Sequence, residues 1–195
     1  MIVMEWYFLY KDIKVQQHEN VGNVFKELFV KTKPKRILEI GTSHGGLTYL
    51  LRDLLNGLNM SDTEIISYDI FKHHSLDIKN IDFRIENIFN DQYDELISDD
   101  VISYIKKEGV TIVLCDGHHK KEEFNILSEF IKNGDIIMAH DYSPTFEYFE
   151  ENVKGKIWDW CEIVDSDIEH SFLIYNLKPF MSDEFNDVVW CCKIK

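Results

Sequence analysis

The sequence is short of positive charge, which limits the partners it can bind. It has 21 lysine and arginine residues against 35 aspartate and glutamate residues, and a formal net charge of −14. Proteins that bind nucleic acid contact the phosphate backbone through clustered lysine and arginine side chains, and these are scarce here. We therefore expect a small-molecule substrate and no nucleic acid partner.

Long apolar runs and a cysteine framework are also missing. No run approaches the roughly 20 apolar residues that span a bilayer, and the apolar first ten residues lack a basic leader and a small-residue cleavage site. Cys115, Cys161, Cys191 and Cys192 form no C-x-x-C pair, which argues against a zinc knuckle or a disulfide framework. We expect reduced thiols in a cytoplasmic protein without a membrane partner.

The sequence does contain alternating strand-like and helix-like segments, without internal repeats. This alternation favours an α/β fold, with a parallel sheet covered by helices on both faces. The length of 195 residues suits one domain over 1–195. Within it we expect an N-terminal segment and helix over 1–33, a binding core over 34–142, and a C-terminal helix and hairpin over 143–195.

The apolar periodicity and the turn residues predict the elements of this fold. Strands are predicted at about 36–40, 64–69, 82–85, 110–116 and 135–140. Helices are predicted from 21 to just before Pro34, from 47 onward, over 91–107, over 124–131 and over 146–153. Two further apolar segments, 171–175 and 188–192, are predicted to form an antiparallel hairpin that closes the sheet.

One segment combines a strand, a glycine-rich turn and a helix. Ile37, Leu38 and Ile40 form the apolar run of a buried strand, and the glycines that follow let the backbone turn sharply and approach a ligand. Leucines at helical spacing come next, from Leu47 to Leu58, so the N-terminus of the helix faces the turn. This arrangement is typical of sites that hold nucleotide-like ligands.

The spacing in the turn differs from a dinucleotide fingerprint. That fingerprint is G-x-G-x-x-G, whereas this turn reads E-x-G-x-x-x-G, with Ser43 where the second glycine would stand. The pattern resembles the first motif of class I S-adenosylmethionine-dependent methyltransferases, which have a Rossmann-like fold. The resemblance implies S-adenosylmethionine as the cofactor, bound by Glu39, Gly41, Thr42, Ser43 and Gly45.

The next two predicted strands also end in acidic residues that could reach this ligand. Asp69 lies 24 residues after Gly45. This is close to the offset of roughly 20 residues at which a carboxylate accepts hydrogen bonds from ribose hydroxyls. The alternative for Asp69 is a helix cap or a solvated turn. Glu86, after the third strand, is expected near the adenine or in a solvent-facing loop.

The fourth and fifth strands end in the most distinctive residues. Asp116 ends the fourth strand, His140 ends the fifth, and Asp141 comes directly after it. If these strands are neighbours, about 4.8 Å apart, the three side chains converge in one crevice. Clustered carboxylates repel one another unless a cation or a proton lies between them, which predicts a divalent-metal site. The alternative is that Asp116 contacts only the cofactor and the histidines are polar loop residues.

Together with the glycine turn, these strand ends resemble the macrocin O-methyltransferase and cephalosporin hydroxylase families of class I methyltransferases over about 34–142. The resemblance implies a mostly parallel seven-stranded sheet, O-methylation of a hydroxyl on a sugar or other small natural product, and often Mg²⁺. It implies that Asp116 and Asp141 are metal ligands and that His119 is the general base. His140 stands where the family commonly has a carboxylate, and an imidazole favours Mn²⁺, Fe²⁺ or Zn²⁺ over Mg²⁺.

Methyl transfer requires alignment and deprotonation of the acceptor oxygen, because the sulfonium already activates the methyl group. A metal would lower the pKa of the hydroxyl and His119 would take the proton, with His118 as the alternative base. His44 is expected near the cofactor without a chemical task. His73 and His74 are expected in a solvated loop or in the acceptor pocket.

Two other functions also fit these residues. The cluster of acids and imidazoles could activate water in a metal-dependent hydrolase, or the fold could serve as a binding module without catalysis. Trp158 and Trp160 are expected in the core, at the interface of a homo-oligomer, or over the acceptor site as a lid.

Overall fold

The computed structural model describes residues 6–72 and 78–195. In chain order its strands are β1 (Phe8–Tyr10), β2 (Ile13–Val15), β3 (Arg36–Ile40), β4 (Glu64–Asp69), β5 (Ile81–Ile85), β6 (Thr111–Cys115), β7 (Ile136–His140), β8 (Tyr142–Ser143), β9 (Ile163–Val164), β10 (Lys178–Pro179) and β11 (Trp190–Ile194). Its helices are α1 (Val21–Thr32), α2 (Gly46–Gly57), α3 (Asp99–Lys106), α4 (Lys120–Leu127), α5 (Phe146–Tyr148), α6 (Asp165–Tyr175) and α7 (Ser182–Asn186), with a π-helix over Phe149–Val153 after α5. None of the helices in these two ranges is both long and apolar enough to cross a membrane.

The central sheet has the strand order β10-β11-β7-β6-β3-β4-β5. Strands β3 to β7 are parallel, β11 is antiparallel to β7, and β10 is antiparallel to β11. The predicted Rossmann-like sheet with a C-terminal antiparallel hairpin is therefore confirmed. The chain runs outward from β3 through β4 to β5 and then returns to the other side of β3 as β6, so the strand order reverses between β3 and β6. Open α/β sheets bind ligands at such a reversal.

Apolar side chains on both faces of the sheet anchor the helices. Successive residues of a strand point to opposite faces, so Ile37 and Leu38 of β3 pack into two different buried clusters. The Leu38 cluster includes Val101 of α3 and Phe124 of α4, and the Ile37 cluster includes Leu51 of α2. Burial on both faces explains why these strands read as continuous apolar runs.

The predicted acidic helix over 91–107 is wrong in its first half, because α3 begins at Asp99. Asn90 holds the preceding loop: its side-chain oxygen accepts hydrogen bonds from the backbone N–H groups of Asp94 (3.1 Å) and Glu95 (3.3 Å). Tyr93, directly before Asp94, has a left-handed backbone conformation with φ of 52°. Short polar side chains that bind nearby backbone groups compete with helix formation, and here the competition favours the loop.

The first strand of the predicted C-terminal hairpin is also misplaced. β10 pairs with β11, whereas the predicted strand at 171–175 is the end of α6. The segment is helical because Ile168 and Ser171 bury one face of it and because Asp167 accepts a backbone N–H at the helix start. The apolar residues at 171–175 resemble a strand when they are read without the preceding turns of this helix.

An N-terminal hairpin, β1 with β2, was not predicted. It packs against α2, and the chain leaves it at Gln16 and Gln17, directly above the carboxyl ends of the parallel strands. The N-terminal segment therefore helps to form the site described next.

Candidate active site

Two cavities open beyond the carboxyl ends of the parallel strands. We call them the polar cavity, of about 290 Å³, and the apolar cavity, of about 390 Å³. Gly41, Ser43 and Asp116 line both. The polar cavity is also lined by Trp6, Gln16, Gln17, Thr42, His44, Lys120, His140, Asp141, Trp158, Trp160 and Glu162. The apolar cavity is also lined by Tyr68, Asp69, Phe71, Glu86, Asn87, Phe89, Tyr93 and His118.

The glycine turn brings the end of β3 against the end of β6. Gly41 has φ of +94°, and a Cβ at this position would lie 2.1 Å from the backbone oxygen of Asp116. Glycine is therefore required here both by the dihedral angle and by the lack of space. Gly45, with φ of +77°, is the N-cap of α2, so the first N–H groups of the helix face the turn.

Glu39 lies beneath this turn and lines neither cavity. Its Oε2 accepts hydrogen bonds from Thr48 Oγ1 (2.6 Å) and from the hydroxyl of Ser67, and the side chain is buried. Burial raises the pKa of Glu39 to about 7, although the two hydroxyl donors lower it. Thr42 Oγ1 lies 2.6 Å from the same Ser67 hydroxyl, and Thr42 reaches the polar cavity. Through Ser67, Glu39 is therefore linked to Thr42 and stabilises the turn.

Asp69 ends β4 at the edge of the apolar cavity. Its Oδ2 accepts the backbone N–H of Ser43 at 2.7 Å, and its Oδ1 accepts the backbone N–H of Phe71 at 2.9 Å. Asp69 therefore ties the glycine turn to the end of β4 while it faces the cavity. Glu86, after β5, lines the same cavity.

Asp116, His140 and Asp141 form the acidic cluster at the polar cavity. One potential ligand atom from each lies within 4.8 Å of the others. His140 Nδ1 is 3.1 Å from Asp116 Oδ1 and 3.5 Å from Asp141 Oδ1. The register of β6 and β7 pairs Cys115 with Ala139 and so places Asp116 beside His140, as the sequence predicts. Asp141 is left-handed, with φ of 55°.

Neighbouring charges shift the pKa values of His140 and Asp141. Burial lowers the pKa of His140, but the carboxylates of Asp141 and Asp116 outweigh burial and hold it above its usual value. Burial raises the pKa of Asp141, but His140 and Lys120 outweigh burial and hold it below its usual value. Neighbouring opposite charges therefore dominate the electrostatics of this site.

Lys120, which was not predicted as a site residue, adds a cation to the cluster. Its Nζ donates hydrogen bonds to Glu162 Oε2 (2.8 Å) and to the backbone oxygen of Gly117 (3.0 Å), and it lies 3.1 Å from Asp141 Oδ2. Burial lowers the pKa of Lys120, but Asp116 and Asp141 outweigh burial and the pKa lies above its usual value. Its position four residues after Asp116, at the first turn of α4, was the available sequence signal.

Gln17 and two tryptophans complete the surroundings. Gln17 Nε2 donates to Asp116 Oδ2 at 2.7 Å, and Trp190 Nε1 donates to Gln17 Oε1 at 2.8 Å. Trp158 is buried and donates from Nε1 to Asp141 Oδ1 at 2.5 Å, whereas Trp160 is 48% exposed at the rim. Trp158 thus belongs to the core and to the site wall at once. No motif marks Gln17, which lies far from Asp116 in the sequence.

The histidines that follow Asp116 do not join the cluster. His119 lines neither cavity; its ring lies 3.9 Å from that of Tyr93, and its side chain is 39% exposed. His118 lines the apolar cavity, and His44 lines the polar cavity. The base role of His119 stays a prediction, without support from its position. His73 and His74 lie outside the described residues.

The donor set of the cluster fits a divalent cation. Ligands about 2.1 Å from one ion lie roughly 3 Å apart, which is close to the separations of His140 Nδ1 from the two carboxylates. Two carboxylates and one imidazole suit Mn²⁺, Fe²⁺ or Zn²⁺ better than Mg²⁺, which prefers oxygen ligands.

A family model described as Rhamnosyl O-methyltransferase/CmcI matches residues 4–180 of this sequence. No curated protein matches the sequence at a significant level.

Solved structures similar to this chain share its fold at low identity. An apo structure of CmcI has a TM-score of 0.67 at 12% identity and covers 96% of this chain and 76% of that chain. CmcI described as "Mg-SAM" has a TM-score of 0.63 at 14% identity, covering 96% and 77%. Human N-acetylserotonin methyltransferase in complex with SAM has a TM-score of 0.56 at 14% identity, covering 91% and 52%. These similarities agree with the Rossmann-like fold.

Proposed function

Because this chain belongs to the rhamnosyl O-methyltransferase/CmcI family, we propose that it transfers the methyl group of S-adenosylmethionine to a hydroxyl of a small molecule, a sugar or another natural product. Membership in this family agrees with the S-adenosylmethionine-dependent methyltransferase class that the sequence motifs predict. The hydroxyl acceptor and the residue roles below are our proposals.

The observation that carries the proposal is that Asp116 lines both cavities. A methyltransferase must hold the cofactor and the acceptor on two sides of the transferred methyl group, with the reacting atoms in line. The two cavities share Asp116 and residues of the glycine turn as lining, and this shared boundary is our proposed position for the methyl group.

The apolar cavity is our proposed nucleoside site. Asp69 and Glu86 would accept hydrogen bonds from the ribose and the adenine, and Tyr93 would offer an aromatic face. The glycine turn would let the amino-acid part of the cofactor approach the backbone, because Gly41 and Gly45 add no side chain there. CmcI described as "Mg-SAM" has the same fold, which supports this arrangement.

The polar cavity is our proposed acceptor site. Asp116, His140 and Asp141 would hold a divalent cation, which would act as a Lewis acid on the acceptor hydroxyl. Asp116 is our proposed proton acceptor, since it lines both cavities, whereas His119 lines neither. Gln17 would orient that carboxylate through its hydrogen bond to Oδ2. Trp158 and the buried walls would exclude water.

Family membership favours methyl transfer over the metal-dependent hydrolase and over the non-catalytic binding module. A hydrolase would need the metal cluster but no nucleoside site, and a binding module would need neither turnover nor a metal. Methyl transfer uses both cavities.

Calorimetry with S-adenosylmethionine and S-adenosylhomocysteine, with and without Mn²⁺, tests the proposal. We expect the wild-type chain to bind both and Asp69→Ala to bind at least about tenfold more weakly, because the variant loses a ribose acceptor and a tie to the turn. Asp62→Ala, an exposed position before β4, is the matched control and should bind like the wild type. Equal binding by Asp69→Ala, or none by the wild type, would refute the nucleoside site.

A further inference from the structure

Lys120 places a positive charge inside the acidic cluster that no proposed step of methyl transfer uses. Its side chain is 7% exposed. Nζ lies 2.8 Å from Glu162 Oε2, 3.0 Å from the oxygen of Gly117 and 3.1 Å from Asp141 Oδ2. An ammonium group has three N–H donors, and these three acceptors satisfy all of them. Asp116 Oδ1 lies farther away, at 3.9 Å.

We propose that Lys120 is a positioning residue that competes with the divalent cation for the carboxylate of Asp141 and so lowers the metal affinity of the site. This inference rests on the proposed function, in which Asp116, His140 and Asp141 hold that cation.

The argument follows from charge sharing. Both the ammonium and a divalent cation are attracted to Asp141, and at such short range two cations on one carboxylate repel each other strongly in a buried site. A cation that binds the cluster must therefore weaken the contact between Lys120 and Asp141. The free energy needed to weaken this contact is subtracted from the free energy of metal binding, so the metal affinity is lower.

Two partners would retain the ammonium after the exchange. Glu162 and the backbone oxygen of Gly117 are not members of the cluster, and both lie closer to Nζ than Asp141 does. Release of Asp141 alone would then admit the metal, and Lys120 would stay hydrogen-bonded. Without metal, Lys120 offsets the repulsion between Asp116 and Asp141, so the cluster can fold before the cation arrives.

The test is the affinity for Mn²⁺ alone, measured on the full chain without cofactor or acceptor. Isothermal titration and the electron paramagnetic resonance signal of free Mn²⁺ give two independent values. Lys120→Met should bind Mn²⁺ about tenfold or more tightly than the wild type, because the competing charge is gone. Lys120→Arg keeps the charge, and its Mn²⁺ binding should remain as weak as that of the wild type.

Lys121→Met is the matched control. It removes the same charge from the neighbouring position of α4, where the side chain is 46% exposed and its nearest acid, Asp167, lies 3.7 Å away. Its Mn²⁺ affinity should equal that of the wild type, since exposed charges are screened.

Glu162→Gln should change the Mn²⁺ affinity in the direction opposite to Lys120→Met. Loss of this partner should leave the ammonium more firmly on Asp141 and weaken Mn²⁺ binding. In the Lys120→Met background the same change should have a smaller effect, because the competitor is absent. If Lys120 only stabilised the fold, Lys120→Met would not tighten Mn²⁺ binding while Glu162→Gln weakens it.

Each result decides the proposal. Tighter binding by Lys120→Met alone among the lysine variants supports it, and equal or weaker binding overturns it. If Lys120→Met does not fold, weaker binding by Glu162→Gln supports the proposal, and equal or tighter binding overturns it. Failure of every variant to bind Mn²⁺ overturns it together with the metal site, while S-adenosylmethionine titration of the same samples reports on the methyltransferase assignment separately.

Discussion

The side-chain amide of Gln17 donates a 2.7 Å hydrogen bond to Oδ2 of Asp116, although 99 residues separate the two in the sequence. The oxygen of the same amide accepts a 2.8 Å hydrogen bond from Trp190 Nε1, and Gln17 is buried. The segment after the N-terminal hairpin therefore fixes the carboxylate of Asp116, a residue that lines both cavities.

Gln17→Leu should destabilise the chain and slow turnover. The change leaves Asp116 Oδ2 and Trp190 Nε1 without this partner in a buried site, which should lower the free energy of unfolding by about 1–3 kcal/mol. Gln16→Leu is the control for stability, because Gln16 is exposed, and it should change the free energy by less than about 0.5 kcal/mol. Urea denaturation measures both, and equal effects would contradict the role given to Gln17.

Gly41→Ala should abolish cofactor binding or unfold the chain. The added Cβ would lie 2.1 Å from the backbone oxygen of Asp116, and φ of +94° is strained for any other residue. Gly57→Ala is the control, since nothing lies within 4 Å of a Cβ there and the change should be neutral or slightly stabilising. Titration with S-adenosylhomocysteine and thermal unfolding compare the two. Normal binding by Gly41→Ala would contradict the described turn.

Glu39 should make the stability of the chain depend on pH. Burial raises its pKa from 4.5 to about 7 in the folded state. Between these two values the unfolded chain releases the proton while the folded chain keeps it. The folded state therefore binds more protons, and its stability falls as the pH rises from 4.5 to 7 and then levels off.

Glu39→Gln isolates this effect. The amide oxygen can still accept the hydrogen bonds from Thr48 and Ser67, and the neutral side chain has no ionisation to suppress. Relative to this variant, the wild type should lose on the order of a few kcal/mol across the interval. Urea denaturation at a series of pH values measures the difference, and a difference that does not change with pH would refute a raised pKa.

Much of the fold follows from local pattern. The strands of the parallel sheet are continuous apolar runs because both faces are buried, and a run of this kind is visible in the sequence around Ile37 and Ile112. The glycine turn is equally local, since its backbone demands specific residues at specific positions. Asp116, His140 and Asp141 could be placed together because the register of neighbouring strands follows from the fold.

The rest depends on contacts that no local pattern encodes. Gln17 reaches the site through tertiary packing and belongs to no motif, and the sequence signals Lys120 only by its position four residues after Asp116. α6 is helical because Ile168 and Ser171 bury one of its faces, although its last residues were predicted as a strand. His119 is close to the site in sequence, yet its ring packs on Tyr93 and lines neither cavity.

Two substitutions separate the candidate bases. Asp116→Asn should lower kcat about hundredfold or more, because the amide can neither accept the proton nor supply the charge that would hold the cation. His119→Ala should keep kcat within about threefold, in contrast to the base role that the family resemblance implies. Methyl transfer from labelled S-adenosylmethionine to hydroxyl acceptors measures both. A large loss in His119→Ala with an unchanged KM for the cofactor would restore His119 as the base.

A crystal structure of the chain with S-adenosylhomocysteine tests the central claim most directly. We expect the nucleoside in the apolar cavity, with its ribose against Asp69, and the sulfur directed past Gly41 toward Asp116 and the polar cavity. A nucleoside bound elsewhere, or both cavities left without it at saturating concentration, would contradict the proposal that the two cavities form one methyl-transfer site.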